Sequence, residues 1–120
     1  HCKKGVLCVI DDQPVGGDIE SVERNVSQSL INYCCNDKEQ AEIMNADYPE
    51  EEFIKLWTRK EAIIKLSGEG ITSNLKDLMT PEVLRNTKII TNYNPETGLV
   101  YSIASPISSH SEKSIYGTIR

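Results

Sequence analysis

Two short stretches carry residue types and spacings that can do chemistry. In Gly16-Gly17-Asp18-Ile19-Glu20 two carboxylates stand two residues apart. On a strand such residues share a face, so Asp18 and Glu20 project to one side while Ile19 is expected to point into the core. Carboxylates held side by side repel unless a cation lies between them, and a hard divalent ion such as Mg²⁺ prefers their oxygens. The two glycines would let a ligand approach the backbone closely. Alone, the pattern also reads as solvated decoration at a strand end.

The second stretch is Trp57-Thr58-Arg59-Lys60-Glu61-Ala62-Ile63-Ile64-Lys65. Trp57, Glu61 and Lys65 follow one another at i, i+4 and i+8, so a helix would align them on one face. Alone they read as a surface Glu–Lys pair beside a core tryptophan. Beside Asp18 and Glu20, a third carboxylate and a cation in a row suit a metal-bound pyrophosphate.

The elements that must position these residues can be sketched from patterning. Gly5–Ile10 is an apolar run bounded by charge, and Gln13–Ile19 follows after a turn-rich step, so a β-hairpin is predicted. Pro14 suits the start of its second arm. Ser21–Cys35 has helical spacing through Val22, Val26, Leu30 and Ile31, and a short helix is predicted from Asn36 or Asp37 with body Lys38–Ala46. Pro49 followed by Glu50-Glu51-Glu52 is a strong helix start, with proline in the first turn and carboxylates at the positive end of the dipole. That helix carries Phe53, Leu56, Trp57, Ile63 and Ile64 and stops at Gly68 and Gly70. Asn74–Met79 reads as a short turn or helical turn closed by Pro81. Lys88–Tyr93 and Leu99–Ala104 read as strands joined by Asn94-Pro95-Glu96-Thr97-Gly98, with Ser114–Ile119 a further candidate. Strands flanking a block of helices imply an α+β fold with an antiparallel sheet packed against helices.

Composition bounds the function. One hundred and twenty residues suit a single domain spanning 1–120. Thirteen Lys and Arg against eighteen Asp and Glu leave a net charge of −5, which argues against nucleic acid or an anionic membrane as the main partner. No apolar run approaches the ~18 residues of a membrane span, and no basic-then-apolar leader opens the chain. Cys2, Cys8, Cys34 and Cys35 show no zinc-ligand spacing, so free thiols in a reducing cytoplasm are expected. The chain opens on His1 rather than Met.

Taken in order, Val15-Gly16-Gly17-Asp18-Ile19-Glu20 and Trp57-Thr58-Arg59-Lys60-Glu61-Ala62-Ile63-Ile64-Lys65 resemble the two signature motifs of the 4′-phosphopantetheinyl transferases. Gln13-Pro14 and Trp57 are more similar to the Sfp-type branch than to the shorter holo-acyl-carrier-protein synthases. Ser67-Gly68-Glu69-Gly70-Ile71 looks like the family's helix ending. The resemblance covers residues 1 to about 71, and the later strands match only as a β-rich tail.

The resemblance implies transfer of the phosphopantetheine arm of coenzyme A onto a serine of an acyl or peptidyl carrier protein, releasing adenosine 3′,5′-bisphosphate. It implies Asp18, Glu20 and Glu61 as ligands of Mg²⁺ or Mn²⁺. Glu61, or a water on the metal, would take the serine proton, while Lys65 would contact the phosphates and assist the leaving group. Lys60 would support the phosphate charge, and His1 would touch a coenzyme A phosphate as part of a Ser-His-Ser motif. The carrier would dock near Val26–Met44. Lys3, Lys4, Arg59, Lys60 and Lys65 could supply a local basic cluster for these anionic partners. Sfp-type enzymes look like two similar halves in one chain, so the sequence is expected to be the C-terminal half, needing the other half or self-association for activity.

Three departures stand out: Gly17 replaces an aliphatic residue, Cys2 stands where the second serine belongs, and Ser109-His110-Ser111 mimics the motif on the wrong side of the metal residues. Two other readings remain. One is a metal-dependent nuclease or phosphoesterase, although such enzymes usually carry Glu and Lys two apart on a strand. The other is an inactive carrier-binding module, although no key carboxylate or lysine is missing.

Overall fold

A computed structural model describes residues 12–68 and 74–107. The predicted strands Gly5–Ile10 and Ser114–Ile119 lie outside the described residues. Strand β1 (Gly16–Ser21) is followed by helices α1 (Gln28–Cys34), α2 (Asp37–Met44) and α3 (Pro49–Ser67). A 3₁₀ turn at Leu75–Asp77 leads to helix α4 (Pro81–Asn86) and strands β2 (Thr87–Asn94) and β3 (Leu99–Pro106). The three strands form an antiparallel sheet in the order β1-β3-β2. Helix α3 lies across β1 and β3, so the α+β expectation holds.

Helix α3 follows its sequence signals closely. Pro49 occupies the first turn with Glu50, Glu51 and Glu52, and Lys65 sits in the last turn, so both ends complement the dipole. Gly68 ends it in the left-handed conformation at φ 73°, which costs a glycine little. Helix α2 starts on a reciprocal capping box between Asn36 and Glu39.

The predicted helix over Ser21–Cys35 is shorter than its periodicity suggests. Its first residues finish β1 and turn: Val22 N–H donates to Gly98 O at 2.8 Å and Arg24 N–H to Ser21 O at 3.1 Å. The helix begins only after Ser27, whose hydroxyl accepts from Leu30 N–H at 3.1 Å. Likewise Pro81 opens α4 instead of closing a turn, because Thr80 caps the first turn by accepting from Val83 N–H at 3.2 Å.

Register decides which residues face α3. Gly16 pairs with Ala104, Asp18 with Ser102 and Glu20 with Val100. Ser102 reaches the α3 hydroxyl of Thr58 at 2.8 Å, so Asp18 and Glu20 share the helix-covered face. Ile19 lies on the opposite face and is buried, as its alternation with the carboxylates predicts. The main core joins Cys34, Cys35, Ile43, Phe53, Ile54, Ile64, Leu75 and Val100, with a smaller cluster of Ala62, Ile63 and Ala104.

Candidate active site

The site forms where β1 and α3 touch. A methyl group on Gly16 would collide with Ala62 O and Leu66 N of α3. The glycine therefore serves the approach of a helix rather than of a ligand, and that approach carries Asp18 to the last turns of α3. Lys65 Nζ donates to Asp18 Oδ1 at 2.9 Å. Asp18 is buried, and its second oxygen, Oδ2, has no hydrogen-bond partner. Leaving a buried carboxylate oxygen unpaired is costly, and such an atom calls for a cation.

Glu20, two residues on, accepts from Arg24 Nη1 at 2.8 Å. Arg24 also lies 5.3 Å from the centroid of the Trp57 ring, which packs tilted against Phe53 at 6.1 Å. Glu61 completes the group one helical turn from both Trp57 and Lys65. Burial pushes its carboxyl above the ordinary 4.5, and the Asp18 charge adds to the rise. Lys65 and Arg24 oppose it, and Glu20 adds a further upward push. The four motif residues Asp18, Glu20, Glu61 and Lys65 thus share one electrostatic neighbourhood.

The carboxylates are not gathered onto a common point. Among the described residues no three His, Cys, Asp or Glu side chains form a group able to hold a metal ion. Asp18 leans to Lys65 and Glu20 to Arg24, so these two carboxylates are engaged by cations of the protein itself. The donor set nevertheless suits a hard divalent cation: three carboxylates, one with a buried orphan oxygen.

Lys60 departs from the expectation. It does not face the carboxylates and is 1% exposed. Its Nζ donates to Cys34 O at 2.6 Å, Leu75 O at 2.6 Å and Glu39 Oε1 at 2.7 Å. An ammonium has three donors, and all three are taken. Lys60 ties α1, α2 and the 3₁₀ turn to α3 and has no donor left for a phosphate. The physical reason is helical: one residue of α3 rotates the side chain by about 100°, so Lys60 and Glu61 face different neighbours. His1 and the Ser109-His110-Ser111 segment lie outside the described residues.

The sequence reading missed two features. Arg24 carried no motif signal beyond standing four residues after Glu20. A row of hydroxyls crosses the sheet in register with Asp18: Ser102 meets Thr58 at 2.8 Å and Thr91 at 2.9 Å, and Arg59 Nε donates to Thr91 at 2.8 Å. These bonds lock α3 onto β2 and β3 beside the carboxylates. Cys34 and Cys35 are free and buried. Burial pushes the Cys34 thiol up to about 12 and the Cys35 thiol up to about 11.

The chain is similar to known proteins both in sequence and in fold. Over 74 residues the chain is 31% identical to 4′-phosphopantetheinyl transferase Sfp of Bacillus subtilis (strain 168), covering 60% of this chain and 33% of that protein. Over 77 residues it is 34% identical to 4′-phosphopantetheinyl transferase psf-1 of Bacillus pumilus, covering 62% and 33%. The matched stretch therefore spans about a third of each relative's length. In fold the chain is similar to holo-acyl-carrier-protein synthase from Neisseria meningitidis, with a TM-score of 0.60 at 16% identity, over 79% of this chain and 98% of that one. No described helix is long and apolar enough to cross a membrane. The profile of the 4′-phosphopantetheinyl transferase superfamily matches residues 14–112, and with the Sfp-type relatives this establishes that the chain belongs to that superfamily, on its Sfp-type branch.

Proposed function

We propose that the chain transfers the 4′-phosphopantetheine arm of coenzyme A to a serine hydroxyl of an acyl or peptidyl carrier protein, leaving adenosine 3′,5′-bisphosphate. The observation that carries this reading is the buried, unpartnered Oδ2 of Asp18 beside Lys65, with Glu61 in the same electrostatic neighbourhood. Asp18, Glu20 and Glu61 would hold a divalent cation, Mg²⁺ or Mn²⁺. Bound there, the cation would supply charge neutralisation for the diphosphate.

The chain's own residues account for the remaining steps. The serine oxygen attacks the phosphorus that bears the pantetheine arm, and the P–O bond to the adenosine-side phosphate breaks. Glu61 accepts the serine proton; its raised carboxyl pKa brings the group closer to the working range of a general base. Lys65, whose side chain is 46% exposed, turns from Asp18 to the phosphate that leaves. Lys60 takes no part in holding coenzyme A and acts as internal support. The rest of the coenzyme A pocket is assigned to a second half or a second copy of this domain, a reading favoured by the matched stretch being a third of its relatives' lengths.

Loading of an apo-carrier, read as the mass gained by the carrier, tests this. Asp18→Ala and Glu61→Ala should each lower the rate by at least about a hundredfold, the scale of a lost general base or metal ligand. Normal loading by both variants would sink the site assignment. DNA cleavage dependent on Mg²⁺ would point instead to a nuclease.

A further inference from the structure

Arg24 lies in the turn after β1 and touches two members of the site. Its Nη1 holds Glu20 at 2.8 Å, and the Trp57 ring lies beneath the guanidinium at 5.3 Å. Gripped from two sides, the planar fork has little freedom left to lose, yet the side chain is 40% exposed. A guanidinium carries five N–H donors. Among the described residues only Nη1 has a hydrogen-bond acceptor, so the rest of the fork is presented to an incoming anion. Phosphate oxygens match this fork geometry.

The charges beside it explain when it would be used. Asp18, Glu20 and Glu61 outnumber Arg24 and Lys65 by one, so the bare site repels a diphosphate. A divalent cation reverses that sign. The carboxylates would then be engaged, and the two cations resting on them would be released toward phosphate oxygens. Lys60, the other cation that motif reading offers, is enclosed and has no donor to give.

We propose that Arg24 is a diphosphate-binding residue, paired with Lys65, that exchanges Glu20 for the diphosphate of coenzyme A when the carboxylates take a divalent cation. This rests on the transferase reading above.

Isothermal titration with Mg²⁺ present, on the natural gene product carrying this chain, tests it. The ligands are coenzyme A and dephospho-coenzyme A, which share the diphosphate but differ in the ribose phosphate. Arg24→Gln keeps a donor for Glu20 and loses the charge and the fork; it should weaken both ligands about tenfold, as expected for a charged hydrogen-bonded contact. Arg24→Lys should recover part of the loss, because it restores charge without the fork. Both variants should melt within about 3 °C of wild type, since an exposed bridge contributes little to stability. If Arg24→Gln melts much lower, Arg24→Lys decides: wild-type affinity for both ligands would show that the fork is not used. Affinities within about twofold of wild type in both variants overturn the proposal. So does a loss seen with coenzyme A and absent with dephospho-coenzyme A, which would move Arg24 to the ribose phosphate. Failure of the wild type to bind either ligand overturns the transferase reading, and the assignment of Arg24 with it.

Discussion

Lys60 and Lys65 stand five residues apart on one helix and live in opposite surroundings. Lys60 is sealed from solvent, with three acceptors for three donors and Glu39 as counter-ion. Lys65 keeps nearly half its side-chain surface in water and makes a single bridge to Asp18, whose other oxygen is unsatisfied. A saturated buried charge is a structural strut, since removing it strands its partners. An exposed charge on an under-satisfied carboxylate can change partners at low cost, as a binding site requires. The same contrast separates Glu39, held by Lys60 and by Asn36 N–H at 2.9 Å, from Glu61, which burial and Asp18 push toward its protonated form.

Substituting the strut should have the largest effect. Lys60→Met strands Glu39 and two carbonyls and should lower stability by about 3 kcal/mol in urea unfolding. Adding Glu39→Met should return part of that loss, because an apolar pair of similar volume removes the stranded charge. A Lys60→Met protein of unchanged stability would break the comparison outright. Gly16→Ala should follow at about 2 kcal/mol, since its methyl must push α3 away from β1. The same push separates Asp18 from Lys65, so loading should fall more than stability does.

Lys65→Met should cost no more than about 0.5 kcal/mol, the scale of an exposed bridge, while loading falls by at least about tenfold. A stability loss equal to that of Lys60→Met would make the two lysines alike. The smallest effect concerns pH. Burial raises Cys34 from 9.0 to about 12, so the folded state holds this proton more tightly than the unfolded chain. That contribution is fully present below pH 9 and is lost as pH rises toward 12. At pH 8, alkylation of Cys34 in the folded protein should be slower than in urea on the order of a thousandfold, read by peptide mapping. Equal rates would show that the core around Lys60 opens readily.

The long helix was fully legible because its signals are local: Pro49, three glutamates, apolar spacing and Gly68 all act within one or two turns. The strands Lys88–Tyr93 and Leu99–Ala104 were legible for the same reason, and each is extended slightly in the sheet. The first helix was overread because Val22 lies at helical spacing, whereas its N–H is committed to Gly98, 76 residues away along the chain. Arg24 was passed over because its importance comes from the ring of Trp57 on another element. Lys60 was misassigned because its acceptors are mostly backbone carbonyls, and carbonyls leave no mark on a sequence.

Residue types and spacing alone thus carried the motif resemblance to the family, singled out the carboxylates Asp18, Glu20 and Glu61 as candidates, and specified the helix that carries Glu61 and Lys65. Those are properties of short segments and of chemistry that a residue carries wherever it sits. Only the tertiary structure decided which lysine is enclosed and which is open, why position 16 is glycine, and that Arg24 bridges Glu20 and the Trp57 ring. Each of these depends on burial and on partners contributed by distant segments. Burial and partnership determine whether a charge is structural support or available to a ligand.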